Sequence, residues 1–159
     1  MRFAIIASVL LAASASSAQE LKEGWGVQFR QDTFDKTVFP VAMMSENGDG
    51  FDKALFAVAC GNGGSLVSFF QIGRMSFDNS AKAQFRTADG TEEVTFSSGP
   101  VPNMGNRLAA SSEETAKLIA VFEAAGGNDV PFRVEGKQGS FSSVAAAETF
   151  AIMRQACPK

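Results

Sequence analysis

Cys60 and Cys157 are the only cysteines of this 159-residue chain, one near its middle and one two residues from its carboxyl terminus. Whether they constrain the fold depends on where the chain ends up, and the amino terminus speaks to that. Arg2 is followed by an apolar stretch from Phe3 to Ala13, broken only by Ser8, and then by small residues from Ser14 to Ala18. These are the three parts of a secretory signal peptide. About eleven apolar residues fall short of the roughly 20 that span a membrane, and Ser16 and Ala18 put the cleavage after Ala18. No cysteine stands at the cut to carry a lipid, and no later run is apolar enough to cross a bilayer, so the mature chain is expected to be soluble in the periplasm or secreted. That destination is oxidising, so two cysteines predict one structural disulfide. The chain has no His to activate either thiol. A bridge closing a loop of about 97 residues destabilises the unfolded chain by about 4 to 5 kcal/mol and ties the end of the chain to its middle.

Removal of residues 1–18 leaves 141 residues and takes one of 14 cations with it, so 13 cations face 17 acids and the net charge becomes −4. One domain, residues 19–159, is the natural size. Its Phe, Val, Leu and Ala suffice for a core without a metal or cofactor. No two Lys or Arg are adjacent, and an acidic chain lacks the basic face that phosphate backbones require, which excludes nucleic acid as a partner.

Trp25 to Arg30 alternates apolar and polar residues, and Thr37 to Met44 is a second apolar run containing Pro40. Both read as strands, the second at an edge because Pro40 lacks a donor. Ala54–Cys60 and Ser65–Ile72 flank Gly61-Asn-Gly-Gly64, and Ala81–Thr87 and Val94–Ser97 flank a connection containing Asp89-Gly90; each spells a hairpin. After Pro102 the period changes. Ser111 with Glu114 fits a capping box, Leu118, Ile119, Phe122 and Ala125 recur at helical spacing, and Gly126-Gly127 stops the helix. A hairpin from Val130–Val134 to Gly139–Ser142 and a closing helix from Val144 to Ala156 follow. The expected fold is α+β: an antiparallel sheet of about six to eight strands covered by two helices, the second at the carboxyl terminus.

Candidate sites are few. Without His or Tyr the chain has no common nucleophile–base triad and no His-bound metal, which leaves only paired carboxylates. Asp32, Asp35, Asp78 and Asp89 sit at turns, where carboxylates cap backbone donors. In Ser45–Asp52, Asn47, Asp49 and Gly50 fall on the third, fifth and sixth positions of a calcium loop, but the first is Ser45 and the twelfth Phe56, so the segment reads as a turn. Phe69, Phe70, Phe77, Phe85 and Phe96 read as core by strand alternation. Ser97 to Leu108 is the longest stretch without a period. Its stiffening prolines Pro100 and Pro102, with Asn103 and an apolar Met104, make it the candidate partner-binding loop, although a plain crossover explains it as well.

The order of features carries a resemblance: Trp25 with Asp32 and Thr37, a strand ending in Cys60, Phe85-Arg86 before Asp89-Gly90, Pro131 to Glu135, Phe141, and a last helix ending Met-Arg-Gln-Ala-Cys157. In this the chain resembles the small exported VasI-type proteins associated with type VI secretion. Here Thr87 and Ala88 separate Arg86 from Asp89, where the family has Arg-x-Asp. The resemblance implies an accessory α+β domain of the cell envelope with no catalytic residues to carry over. Two functions follow: an exported accessory or protein-binding domain without catalytic activity, whose partner is an envelope protein, or a periplasmic inhibitor or small-ligand binder with a Phe-lined pocket. A carboxylate-based hydrolase ranks third.

Overall fold

A computed structural model describes residues 24–72 and 79–157. The expected signal peptide, with its cut after Ala18, lies outside them, as do Phe77 and Asp78. Among the described residues, nine strands and two helices follow the order β1 (Gly26–Gln31), β2 (Val38–Ser45), β3 (Ala54–Cys60), β4 (Leu66–Ile72), β5 (Ser80–Arg86), β6 (Thr91–Val101), β7 (Gly105–Ala109), α1 (Ser112–Ala125), β8 (Asp129–Val134), β9 (Lys137–Ser142) and α2 (Ala146–Ala156). All strands join one antiparallel sheet in the order β1-β2-β3-β4-β7-β6-β5-β8-β9. The architecture is α+β, as expected, with more strands than six to eight.

The additional strand pairing comes from Ser97–Leu108, which is no irregular loop. β6 runs on to Val101, turns through Pro102–Met104 with Asn103 at φ 60°, and returns as β7, pairing Ser97 with Ala109 through Val101 with Gly105. Gly99 and the two prolines hide the alternation. Pro100 is tolerated because β5 pairs with β6 only as far as Ser97 and, among the described residues, Pro100 is paired with β7 alone. Pro40 is explained in the same way. β2 is an interior strand and not an edge, but its pairing with β3 begins at Val41 opposite Ala59, leaving Pro40 on an overhang paired only to β1.

The hairpins at Gly61–Gly64 and Asp89-Gly90 form where the turn chemistry put them. Gly61 has no room for a side chain: a Cβ there would lie 2.7 Å from Ser65 Oγ and 2.9 Å from Val67 Cγ1. Ser111 Oγ accepts the Glu114 amide at 3.2 Å, while the Glu114 carboxylate turns to Lys117, so the cap is one-sided and not a full box. Gly126 ends α1 in the left-handed region. α2 starts at Ala146, two residues later than expected, behind Ala145 at φ 59°.

Alternation sends one face of the sheet inward against both helices. There Phe56, Phe70, Phe85, Phe96, Phe132 and Phe141 meet Phe122 of α1 and Phe150 of α2 around Trp25, all at most 4% exposed. Truncating one such Phe to Ala costs about 3 to 5 kcal/mol. Thr115 Oγ1 accepts the Ser68 amide at 2.8 Å, fixing the start of α1 to β4. The expected disulfide is formed: Cys60 at the end of β3 is bonded to Cys157 just beyond α2, with Cα atoms 5.3 Å apart. The opposite face carries a second, smaller cluster of Val41, Ala57, Ala59, Phe69 and Val101, with Phe39, Met43, Val67 and Met104 packed against it. β3 thus lies between apolar layers on both sides, which is why Ala54–Cys60 reads as an unbroken apolar run.

Candidate functional site

The first hairpin extends past the rest of the sheet. β3 reaches only as far as Val41, so Val38–Pro40 and their partners Phe29–Gln31 form a two-stranded projection. By alternation Phe29 shares the inner face with Val27, which packs on the main core opposite Ala42, but Phe29 lies beyond the helices and is 65% exposed. Its neighbour Val38 is 61% exposed, and Phe34 at the turn is 96% exposed. The turn itself is tightly bonded. Asp32 Oδ1 accepts the amides of Phe34 and Asp35 at 2.7 and 3.2 Å, and Asp35 Oδ1 accepts the Thr37 amide and hydroxyl at 2.8 and 2.6 Å. The Thr37 hydroxyl and amide hold the Asp35 carboxyl below the ordinary aspartate range. A rigid turn presenting an uncovered Phe gives up little conformational freedom on contact.

At the far end of the sheet the edge strand β9 is covered. The Asn47 amide donates to the Ser140 carbonyl at 2.9 Å and its side chain to Ser140 Oγ at 3.2 Å. Glu46 Oε2 accepts the Ala54 amide at 2.8 Å and pairs with Lys137 Nζ at 2.9 Å, and Lys137 also donates to the Asp52 carbonyl. The loop that resembled a calcium site therefore spends Glu46 and Asn47 on β9, and among the described residues no three His, Cys, Asp or Glu gather as metal ligands. Beside it is an open depression of about 840 Å³ whose walls include Met43, Leu55, Asp49, Asp129, Ser142 and Val144.

The residues expected to bind a partner fall on the β6–β7 hairpin. Pro100 lies in β6 opposite Asn106, Pro102 and Asn103 make the turn, and Met104 is half-buried against the outer cluster, so Pro100 and Asn103 are the exposed residues among them. Phe69, Phe70, Phe85 and Phe96 are at most 3% exposed: Phe70, Phe85 and Phe96 pack in the main core and Phe69 in the outer cluster, and of the four only Phe70 borders a depression, a shallow one of about 260 Å³ beside Asn106 and Leu108. Arg86 and Asp89 are exposed at the β5–β6 turn, on the rim of a depression of about 640 Å³ against α1. Sequence reasoning missed Phe29, Phe34 and Val38; the available signal was an isolated Phe34 in an otherwise polar turn. Comparison with protein families, curated proteins and solved structures returned no match.

Proposed function

We propose that this chain is an exported protein-binding domain of the bacterial cell envelope, without catalytic activity, that makes contact through the β1–β2 hairpin. The carrying observation is the distribution of apolar side chains: the aromatics that would line a ligand pocket are packed inside, while Phe29, Phe34 and Val38 stand exposed together on one projection. Exposed apolar groups gathered in this way mark contact surfaces. The signal-peptide pattern and the disulfide support export, no helix among the described residues is long and apolar enough to cross a membrane, and the VasI-type resemblance supports an accessory envelope role. The partner is an envelope protein with an apolar recess for Phe34.

Affinity capture from periplasmic extract tests this, with the mature chain and its Phe34→Ser variant as baits. A protein retained by the first and lost by the second is expected; equal retention by both removes the hairpin from the interface. Mass spectrometry of the exported protein should give Gln19 as its first residue. A mass that includes residues 1–18 would overturn the soluble exported form.

A further inference from the structure

We infer that the free edge of β1 seats a second copy of this chain, in antiparallel two-fold pairing about Phe29. This rests on the reading above, that the first hairpin is a contact surface, and names what covers its edge. Among the described residues β1 is hydrogen-bonded to β2 alone. Edges left exposed in monomers are commonly protected by proline, a bulge, lysine or a covering loop. β1 has no proline, its register with β2 is unbroken from Gly26 to Gln31, and its single charge, Arg30, is turned onto Met43 Sδ of β2 at 3.5 Å, away from the free side.

The identity of the occupant comes from the positions of the exposed apolar residues. Phe29, Phe34 and Val144 are three of the six large apolar side chains found exposed among the described residues and lie along this edge, and a fourth, Val38, stands behind it on β2 opposite Gln31. Val144 belongs at its start: the Trp25 amide donates to the Val144 carbonyl at 2.9 Å, and a Cβ on Gly24 would lie 3.2 Å from Val144 Cγ1. Phe34 stands at its other end. The row is thus roughly symmetric about Phe29, with Val144 beside residue 24 and Phe34 five residues beyond Phe29. An antiparallel two-fold pairing centred on Phe29 stacks Phe29 against Phe29 of the second copy and brings each Phe34 turn toward the other copy's Val144. Arg30 then faces Gln28 and Val27 faces Gln31, so no like charges stand directly opposite. Six strand residues a side is well below the roughly 20–30 of a stable interface, so the pair forms in a concentration-dependent manner.

Sedimentation of the mature protein from about 1 µM to about 500 µM tests this, with a mass rising from monomer toward dimer expected across that range. Phe29→Lys, at a mostly exposed position, should raise the dimer dissociation constant by at least about tenfold with its unfolding midpoint unchanged. Phe34→Ser should raise it by a smaller factor and serves as the second variant if Phe29→Lys folds poorly. The register is read by mixing Gln28→Cys with Arg30→Cys chains under mild oxidation, where the mixed disulfide dimer should exceed either homodimer. A monomeric mass at every concentration, an unaltered dimer in the folded Phe29→Lys variant, or predominance of homodimers overturns the inference. A monomer that still loses a captured protein on Phe34→Ser overturns self-pairing while leaving the protein-binding reading intact. Dimerisation as described with no protein retained supports self-pairing and removes the separate envelope partner.

Discussion

β9 closes the sheet beneath a loop from the other end of the chain, while β1 closes it with a backbone edge unpaired among the described residues and a projecting turn. At β9 the sheet terminates in an ion pair and hydrogen bonds from Glu46, Asn47 and Asp52. At β1 Asp32 and Asp35 bond within the turn, Arg30 turns onto Met43, and Phe29 and Phe34 are left exposed. Covering an edge removes a template for strand addition, so two edges of one sheet finished so differently point to different uses. The covered edge is architecture, and the bare one is surface.

The largest test of this contrast is the disulfide, which ties the end of α2 to β3 while α2 packs against β1 and β2. Replacing Cys60 and Cys157 with Ser should lower stability by about 4 to 5 kcal/mol, read from urea unfolding, because the tie restrains a loop of about 97 residues in the unfolded chain. If the loss is confined to the β9 side in hydrogen exchange, the bridge belongs to that edge alone and the contrast sharpens. The next test is Gly139→Ala. A Cβ at that position would collide with the Glu46 carboxylate and lie 2.9 Å from the Phe132 ring, so the covering loop must shift. A loss of about 1 to 3 kcal/mol is expected, with faster amide exchange in β9 and no change in β1. Lys137→Met removes only the cation by which β9 holds the loop's Glu46 and should cost about 1 to 2 kcal/mol with protection lost at Asn47; an effect at Phe29 as well would mean the two edges are coupled.

The smallest effect belongs to the bare side. The Asp35 carboxyl is held below its ordinary value by Thr37, so the turn is favoured at pH above the unfolded value near 4 and loses that support only as pH falls through the lower folded value. An NMR titration should show the Thr37 amide following Asp35 below pH 4, and Thr37→Val should move that midpoint up. A midpoint unaltered by Thr37→Val would break the account of the turn.

Local signals carried much of this fold. The cysteine pair, the glycine hairpins after Cys60 and at Gly90, the Ser111 cap and the Gly126 stop each depend on residues a few positions apart, and each formed. What failed depended on neighbours remote in sequence. Pro40 forces β2 to an edge only if a second neighbour must pair through it, and the β2–β3 pairing ends one residue short, at Val41 opposite Ala59. Pro100 breaks a strand only if both sides are paired. Asn47 resembles a metal ligand until Ser140, 93 residues away, takes its side chain. The contact surface was hidden for the same reason: alternation assigns Phe29 a face, but only the reach of the helices decides whether that face is covered.

The bond between Cys60 and Cys157 also divides the polypeptide topologically. Everything from β4 to α2 belongs to a covalent ring, and β1, β2 and β3 form a tail leading into it. One backbone cut within the ring, at the β5–β6 turn or at Asn103, leaves a single covalent molecule. One cut in the β2–β3 loop, where Phe51 is fully exposed, separates the β1–β2 hairpin from the rest, with only the sheet and core packing to hold it. The proposed contact surface is therefore carried on the part of the protein that a single proteolytic event can release.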